Sequence, residues 1–247
     1  MSTEESRQLL ESAARLAAEK GLVRFTRFLD PAELHQAQSL ARAHGAAFAS
    51  FGGYDRAERR IGCFYPAGEA VEESAYPIVC LHSRYASRFC SLSHRDLLGA
   101  FMALGLTRSC IGDMIISGED VYLFAHESIA DYLVASMTSA GRASLSFRAL
   151  DTPPAMPEPD GVSFSAIVSS LRLDAVLAGA YRLSRAQAQE VIHSGLVKVN
   201  HLPCDRVDAA VAEDTLLSLR GKGRVRLVSI DGTTRKQRIG LTFFRYE

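Results

Sequence analysis

One short segment limits everything this chain can become. Residues 151–161 read Asp-Thr-Pro-Pro-Ala-Met-Pro-Glu-Pro-Asp-Gly, with four prolines. Proline has no backbone N–H to donate and a fixed φ, so neither a regular helix nor a central strand runs through such a stretch. It reads as a semi-rigid linker at 152–161, and it rules out one continuous fold over all 247 residues. The length also asks for more than one module.

Charge divides close to the same point. Lys plus Arg and Asp plus Glu both total 28, which hides an imbalance. Residues 171–247 hold thirteen basic and eight acidic side chains, a net +5, and residues 1–170 hold fifteen and twenty, a net −5. An acidic body joined to a basic tail is the asymmetry of a chain whose one end meets a polyanion. No run reaches the roughly 18 apolar residues of a membrane span, and the opening Met-Ser-Thr-Glu-Glu-Ser-Arg lacks the order of a signal peptide. A cytoplasmic protein with no membrane partner is expected. Five cysteines (Cys63, Cys80, Cys90, Cys110 and Cys204) never form a C-x-x-C pair, so they read as reduced, mostly buried small hydrophobes. The seven histidines show no paired spacing, and no G-x-x-x-x-G-K-S/T or G-x-G-x-x-G loop occurs. No metal, cofactor or small-molecule substrate is therefore expected.

Upstream of the linker, Leu9, Leu10, Ala13, Leu16 and Ala17 recur at helical spacing as far as Gly21. Asp30-Pro31-Ala32-Glu33 has the composition of a capped helix start, followed inward by Leu34, Ala37, Leu40 and Ala41 and stopped at His44-Gly45. Residues 1–45 are expected to be an N-terminal helical unit. From residue 46 the pattern changes to a hairpin (48–51 and 61–65 about Gly52-Gly53), a strand (78–81), a helix (93–104), strands at 114–116 and 121–124, a helix (128–139) and a strand (145–150). The core order is β-α-β-β-α-β, which predicts a ferredoxin-like, RRM-like middle domain over 46–151 in a chain of the α+β class. No aromatic signature of base-stacking RNA domains stands out, so this domain reads equally as a protein-contact platform.

Beyond the linker, residues 162–247 carry the strongest signal. Leu173, Val176, Leu177 and Ala180 form an apolar stripe, with Arg172 and Asp174 flanking it and expected near the surface. After Tyr181-Arg182-Leu183, Ser184 and Gln187 form a capping box that lets Arg185 project from a helix start. Ala188, Val191 and Ile192 continue its apolar face to Ser194-Gly195. Residues 196–200 alternate, placing Lys198 and Asn200 on one strand face, and 215–219 supplies a partner strand. A helix N-terminus offers free N–H groups to anions. With Arg172, Arg182, Arg185 and Lys198 beside it, a compact phosphate-binding surface is predicted.

These residues carry a resemblance. Arg172-Leu-Asp174, Ser184-Arg185 and Ile192-x-x-Gly195-x-Val197-x-Val199-Asn200 resemble the S4-type αL RNA-binding module first seen in a ribosomal small-subunit protein. Leu219-Arg-Gly-Lys-Gly-Arg224 and Thr234-Arg-Lys-Gln-Arg238 resemble the tail of the YlmH-like proteins. So do Ser93-His-Arg-Asp-Leu-Leu-Gly99, Leu104-Gly-Leu-Thr-Arg108 and Ile111-Gly-Asp113 in the middle domain. The hairpin tip departs from the pattern, with His201 where many such modules have glycine after asparagine.

The resemblance implies a non-catalytic RNA-binding protein on the large ribosomal subunit. It would contact rRNA and peptidyl-tRNA and assist quality control of stalled translation, in which C-terminal tailing marks the chain for degradation. It further implies RNA contacts at Arg172, Asp174, Arg182, Ser184, Arg185, Gln187, Lys198, Asn200, Lys222 and Arg224. In the middle domain it points to partner contacts at His94, Arg95, Arg108 and Asp113. A monomer is expected. An acid–base role for His94 beside Asp96 or Asp113 is the weaker reading, since no nucleophile, metal-ligand set or cofactor loop accompanies it.

Two alternatives remain open. Such modules are often joined to pseudouridine synthases or RNA methyltransferases, and Arg172-Leu-Asp174 mimics the triplet around a pseudouridine synthase aspartate. That triplet lies inside the binding module, however, and no Gly-rich methyl-donor loop follows an early strand. The other alternative is a scaffold in cell division, a process linked to the family by gene neighbourhood.

Overall fold

The structure, a computed structural model, describes residues 3–158, 161–233 and 237–246. Pro159 and Asp160 of the linker, and Thr234, Arg235 and Lys236 of the tail motif, lie outside the described residues. The chain divides into two compact units, Met1–Pro157 and Glu158–Glu247.

The first unit opens with α1 (Thr3–Lys20), β1 (Arg24–Leu29), α2 (Pro31–His44), β2 (Ala47–Phe51) and β3 (Arg60–Tyr65). The capping box at α2 is complete: the Asp30 carboxylate accepts from the Glu33 amide, and the Glu33 carboxylate accepts from the Asp30 amide. Gly45 closes the helix at φ 75°, a left-handed conformation that favours glycine. β3 is the centre of a three-stranded antiparallel sheet in the order β1-β3-β2. Leu10, Ala14 and Ala17 of α1 and Ala37 and Ala41 of α2 pack with Leu29 and Phe64 of that sheet.

The expectation of an N-terminal helical unit over 1–45 is thereby corrected, because a strand lies between its two helices. Arg24-Phe-Thr-Arg-Phe-Leu29 is a strand, and a boundary at 45/46 would cut through its sheet. The run is short, rich in Phe and flanked by Gly21 and Asp30, a strand composition that helical periodicity passes over.

The unit continues with β4 (Ile78–Arg84), α3 (His94–Ala103), β5 (Ile111–Ser117), β6 (Asp120–His126) and α4 (Ala130–Ser136). A small hairpin of β7 (Ser139–Ala140) and β8 (Ala143–Ser144) then leads to β9 (Arg148–Leu150). The four long-range strands form an antiparallel sheet in the order β5-β6-β4-β9. α3 joins β4 to β5 across β6, and α4 joins β6 to β9 across β4. Leu97 and Phe101 of α3 and Leu133 of α4 bury the sheet face that carries Leu81, Ile111, Val121, Leu123 and Ala125. On the other face, Tyr54 stacks on Phe124 with ring centres 5.0 Å apart, and Met156 is buried beside Cys80 and Phe124. Gly53 permits this closure: a Cβ there would sit 2.4 Å from a Phe124 ring carbon.

The second unit contains β10 (Gly161–Val168), α5 (Leu173–Tyr181), α6 (Arg185–His193), β11 (Val197–Val199), β12 (Leu202–Pro203), β13 (Leu216–Leu219), β14 (Gly223–Thr233) and β15 (Ile239–Tyr246). They form an antiparallel sheet in the order β10-β15-β14-β13-β11-β12. α5 and α6 cover one face, with Leu173, Val176, Leu177, Ala180, Ala188 and Ile192 against Val197, Leu217, Leu219, Val225, Leu227, Leu241 and Phe243. The two helices lie where their apolar stripes predict. β10, β14 and β15 have no counterpart in the sequence reading. Register shifts interrupt the β14–β15 alternation, which hides its period of two.

Candidate nucleic-acid interface

Arg172 precedes α5 in an extended conformation, and the start of that helix is pinned from outside. The Leu173 amide donates to the Ala209 carbonyl at 2.8 Å and the Asp174 amide to that of Val207 at 3.1 Å. These amides are spent, so the start of α5 offers no open anion site at them. At α6 the expected capping box is present. The Ser184 hydroxyl accepts from the Gln187 amide, and the Gln187 side-chain oxygen accepts from the Ser184 amide. The amides of Arg185 and Ala186 are not part of that box.

Asp174 joins the two helices. Its side chain is 0% exposed, whereas those of Arg172 and Arg185 are 46% and 52% exposed. Arg185 Nη2 donates to its carboxylate at 2.7 Å, Gln189 Nε2 at 2.9 Å and Arg172 Nε at 3.4 Å. Burial pushes this carboxyl group up. The hydrogen bonds from Gln189, Arg185 and Arg172 outweigh that effect and hold it below its ordinary value.

This corrects the expectation that Asp174 lies near the surface and touches RNA: the residue is closed to any ligand and acts by orienting its neighbours. An arginine has five N–H donors in a planar fork. One bond to Asp174 from each guanidinium fixes its direction and leaves most of its donors for a phosphate. The same burial closes Asp174 to the nucleophilic role that the Arg-Leu-Asp triplet mimics.

Arg182 ends α5 in the left-handed region, φ 54°, with an exposed side chain. Asn200 and His201, with φ of 46° and 69°, make the two-residue turn between Val199 and Leu202. His201 takes the position where many related modules carry glycine, and histidine is one of the few side chains that visits it readily. Asn200 Oδ1 accepts from the Leu216 amide at 2.8 Å, so its acceptor is used in holding the hairpin rather than facing outward. Lys222 is exposed in the β13–β14 turn.

Lys198, Ser218 and Arg224 are cross-strand neighbours. They alternate with Val197, Leu217, Leu219 and Val225, whose side chains face the helices. The predicted single patch is thus two. Arg172 and Arg185 meet on the helical side of the sheet, whereas Lys198 and Arg224 stand on the opposite face. Sequence reasoning missed Arg226, Phe244 and Tyr246 on that second face, although Arg224-Val-Arg226 and Phe244-Arg-Tyr246 alternate as strands do.

In the middle of the chain, three of the four predicted contact residues are engaged internally. A ring nitrogen of His94 lies 2.7 Å from the Met114 carbonyl, and Arg108 Nη1 donates to the Gly112 carbonyl at 3.2 Å. Asp113 accepts from the Tyr54 hydroxyl and from the Glu58 and Arg59 amides at 2.7–3.1 Å. Desolvation pushes the Asp113 carboxyl group up despite those donors. Arg59, which the sequence did not single out, donates to the Ile111, Phe28 and Arg108 carbonyls. These residues brace β5 against the 52–59 loop. Arg95 stays exposed at the start of α3.

The family model described as "Putative RNA-binding domain in YlmH" matches residues 72–153. The protein named "Ribosome-associated protein quality control protein P2" from Bacillus subtilis (strain 168) is 38% identical over 232 residues, covering 94% of this chain and 90% of that protein. The chain belongs to the YlmH-like RNA-binding family. The 72–153 match falls on the β4–β9 region with α3 and α4. The solved structure "Cell division protein ylmH from Streptococcus pneumoniae" is 21% identical, with a TM-score of 0.49 over 60% of this chain and 87% of that one.

In this YlmH-like chain, no group of three or more His, Cys, Asp or Glu that could hold a metal occurs among the described residues. No described helix is long and apolar enough to cross a membrane. All five cysteines are free thiols, but only Cys63 and Cys80 are buried, which corrects the expectation that most are. Burial pushes those two thiols up to about 11 and about 12, so both stay protonated and unreactive at neutral pH.

Proposed function

We propose that this YlmH-like protein binds RNA without transforming it. It acts in the cytosol as a monomer on the large ribosomal subunit, holding rRNA and peptidyl-tRNA during quality control of stalled translation. In this reading Met1–Pro157 contains a ferredoxin-like, RRM-like domain whose two crossovers give the β5-β6-β4-β9 order. Glu158–Glu247 contains an S4-type module built on α5, α6 and the β11–β12 hairpin. The observation that carries the reading is the pair of half-exposed guanidiniums held by the buried carboxylate of Asp174. Two cations fixed side by side match phosphate geometry at little ordering cost. The ribosomal setting is drawn from the name of the Bacillus subtilis relative.

Cosedimentation of the full chain with large ribosomal subunits across a salt series tests it. The Arg172→Ala/Arg185→Ala double variant leaves the buried Asp174 carboxylate with Gln189 alone and should lose stability. Under conditions where it is folded it should bind more weakly and lose about two from the log–log salt slope, one for each phosphate contact removed. An unchanged slope in the folded variant would defeat the assignment of these two arginines.

A further inference from the structure

The face of the C-terminal sheet turned away from α5 and α6 carries side chains that the helical site does not use. Lys198, Ser218 and Arg224 form one cross-strand row over β11, β13 and β14. A second row runs beside it through Leu216, Arg226, Phe244 and Ser163, over β13, β14, β15 and β10. Tyr246 lies two residues beyond Phe244 on β15, hence on the same face, and is paired with Gly161.

The Phe244 and Tyr246 rings meet edge to face, 5.1 Å between centres. The guanidiniums of Arg224 and Arg226 lie 5.2 and 5.9 Å from the Tyr246 ring centre. Gly161 makes room for the aromatic pair, since a Cβ there would come within 2.7 Å of the Phe244 ring. Both rings remain partly exposed. Arg226 Nε is shielded from solvent and meets no acceptor among the described residues. Asp231, the acid described on β13–β15, lies toward the far end of β14, and its carboxylate accepts from the Ser229 and Thr242 hydroxyls.

A ring backed by cations on an open sheet has two properties at once. Its π-face accepts any base, and the neighbouring positive charges accept the phosphates that flank that base. We infer that this face binds unpaired RNA. One base lies against the Tyr246–arginine stack, and adjacent phosphates are held by Lys198, Arg224 and Arg226. Only an unpaired nucleotide can do this, because a base inside a duplex keeps both its faces in the helical stack. The inference rests on the RNA-binding reading above and adds a second contact surface, across the sheet from Arg172 and Arg185.

The test measures binding of the full chain to a labelled oligouridylate and to a blunt-ended two-strand RNA duplex by fluorescence anisotropy. Tyr246→Leu should weaken oligouridylate binding about tenfold, the worth of one stacked base, and leave duplex binding unchanged. Unaltered oligouridylate affinity in a folded Tyr246→Leu protein overturns the inference. Should that variant not fold, the wild-type chain photocrosslinked to 5-iodouridine oligomers decides: adducts at Tyr246 or Phe244 support the platform, and adducts only elsewhere refute it. Wild-type protein with no affinity for either RNA sinks the functional reading itself, whereas binding that ignores Tyr246 sinks the platform alone.

Discussion

Two carboxylates withdrawn from the surface, Asp113 and Asp174, use their hydrogen bonds to opposite ends. Asp113 accepts from a tyrosine hydroxyl and two backbone amides, all neutral donors, and everything it holds is part of the fold. Asp174 accepts from an amide side chain and two guanidiniums that are themselves half in water. Their titrations diverge accordingly, Asp113 being pushed up by desolvation and Asp174 held down by its donors. A family hallmark therefore need not be a contact. The first carboxylate ties a loop to a strand; the second aims cations outward.

Removing each carboxylate gives the largest contrast. Asp113→Ala strands three donors at once and should cost about 3 kcal/mol in denaturant unfolding. RNA affinity should be preserved wherever the variant is folded. Asp174→Ala should cost less, about 2 kcal/mol, because its arginines can turn to water, but it should weaken RNA binding about tenfold or more. Equal loss of RNA affinity in both variants would erase the distinction.

Acid titration sharpens it further. The folded pKa of Asp174 lies below its ordinary 3.8, so its contribution is complete above that value and is lost as pH falls through the depressed pKa. The folded pKa of Asp113 lies above 3.8, so the native state binds that proton more tightly than the unfolded chain does. Its contribution to stability therefore rises as pH falls through the raised value toward 3.8. Melting temperature against pH for wild type, Asp113→Asn and Asp174→Asn should show difference curves of opposite slope. Parallel curves would mean that the two carboxyl groups share one environment. The smallest effect is expected at the hairpin tip, where His201→Gly relieves a left-handed conformation and should stabilise the chain by roughly 0.5 kcal/mol.

Local patterns made the helices legible. The stripes of α5 and α6, the boxes Asp30–Glu33 and Ser184–Gln187, and the β4-α3-β5-β6-α4-β9 order depend on near neighbours in sequence, which one chain displays directly. What escaped depends on distance or on burial. β1 is short, and what settles it as a strand is its pairing with β3, more than thirty residues away. Asp174 looked like a surface charge because its type usually is one, and its partners Arg185 and Gln189 lie a helix away. The division of the cations between two faces required the register of β11, β13 and β14, which no residue spacing announces. Tyr246 went unnoticed because a lone tyrosine means little until Arg224 and Arg226 are seen beside it.

The strand order of the C-terminal sheet bears on how this protein is made. β15 lies between β10 and β14, so it alone gives β10 a neighbour. Synthesis delivers β10 first and β15 last among these strands, leaving Phe164 without Phe243 until residues 239–246 have emerged. A copy whose translation breaks off before them leaves β10 without a partner strand and lacks Phe244 and Tyr246, so an incomplete product is without the aromatic pair on which the inferred base platform depends.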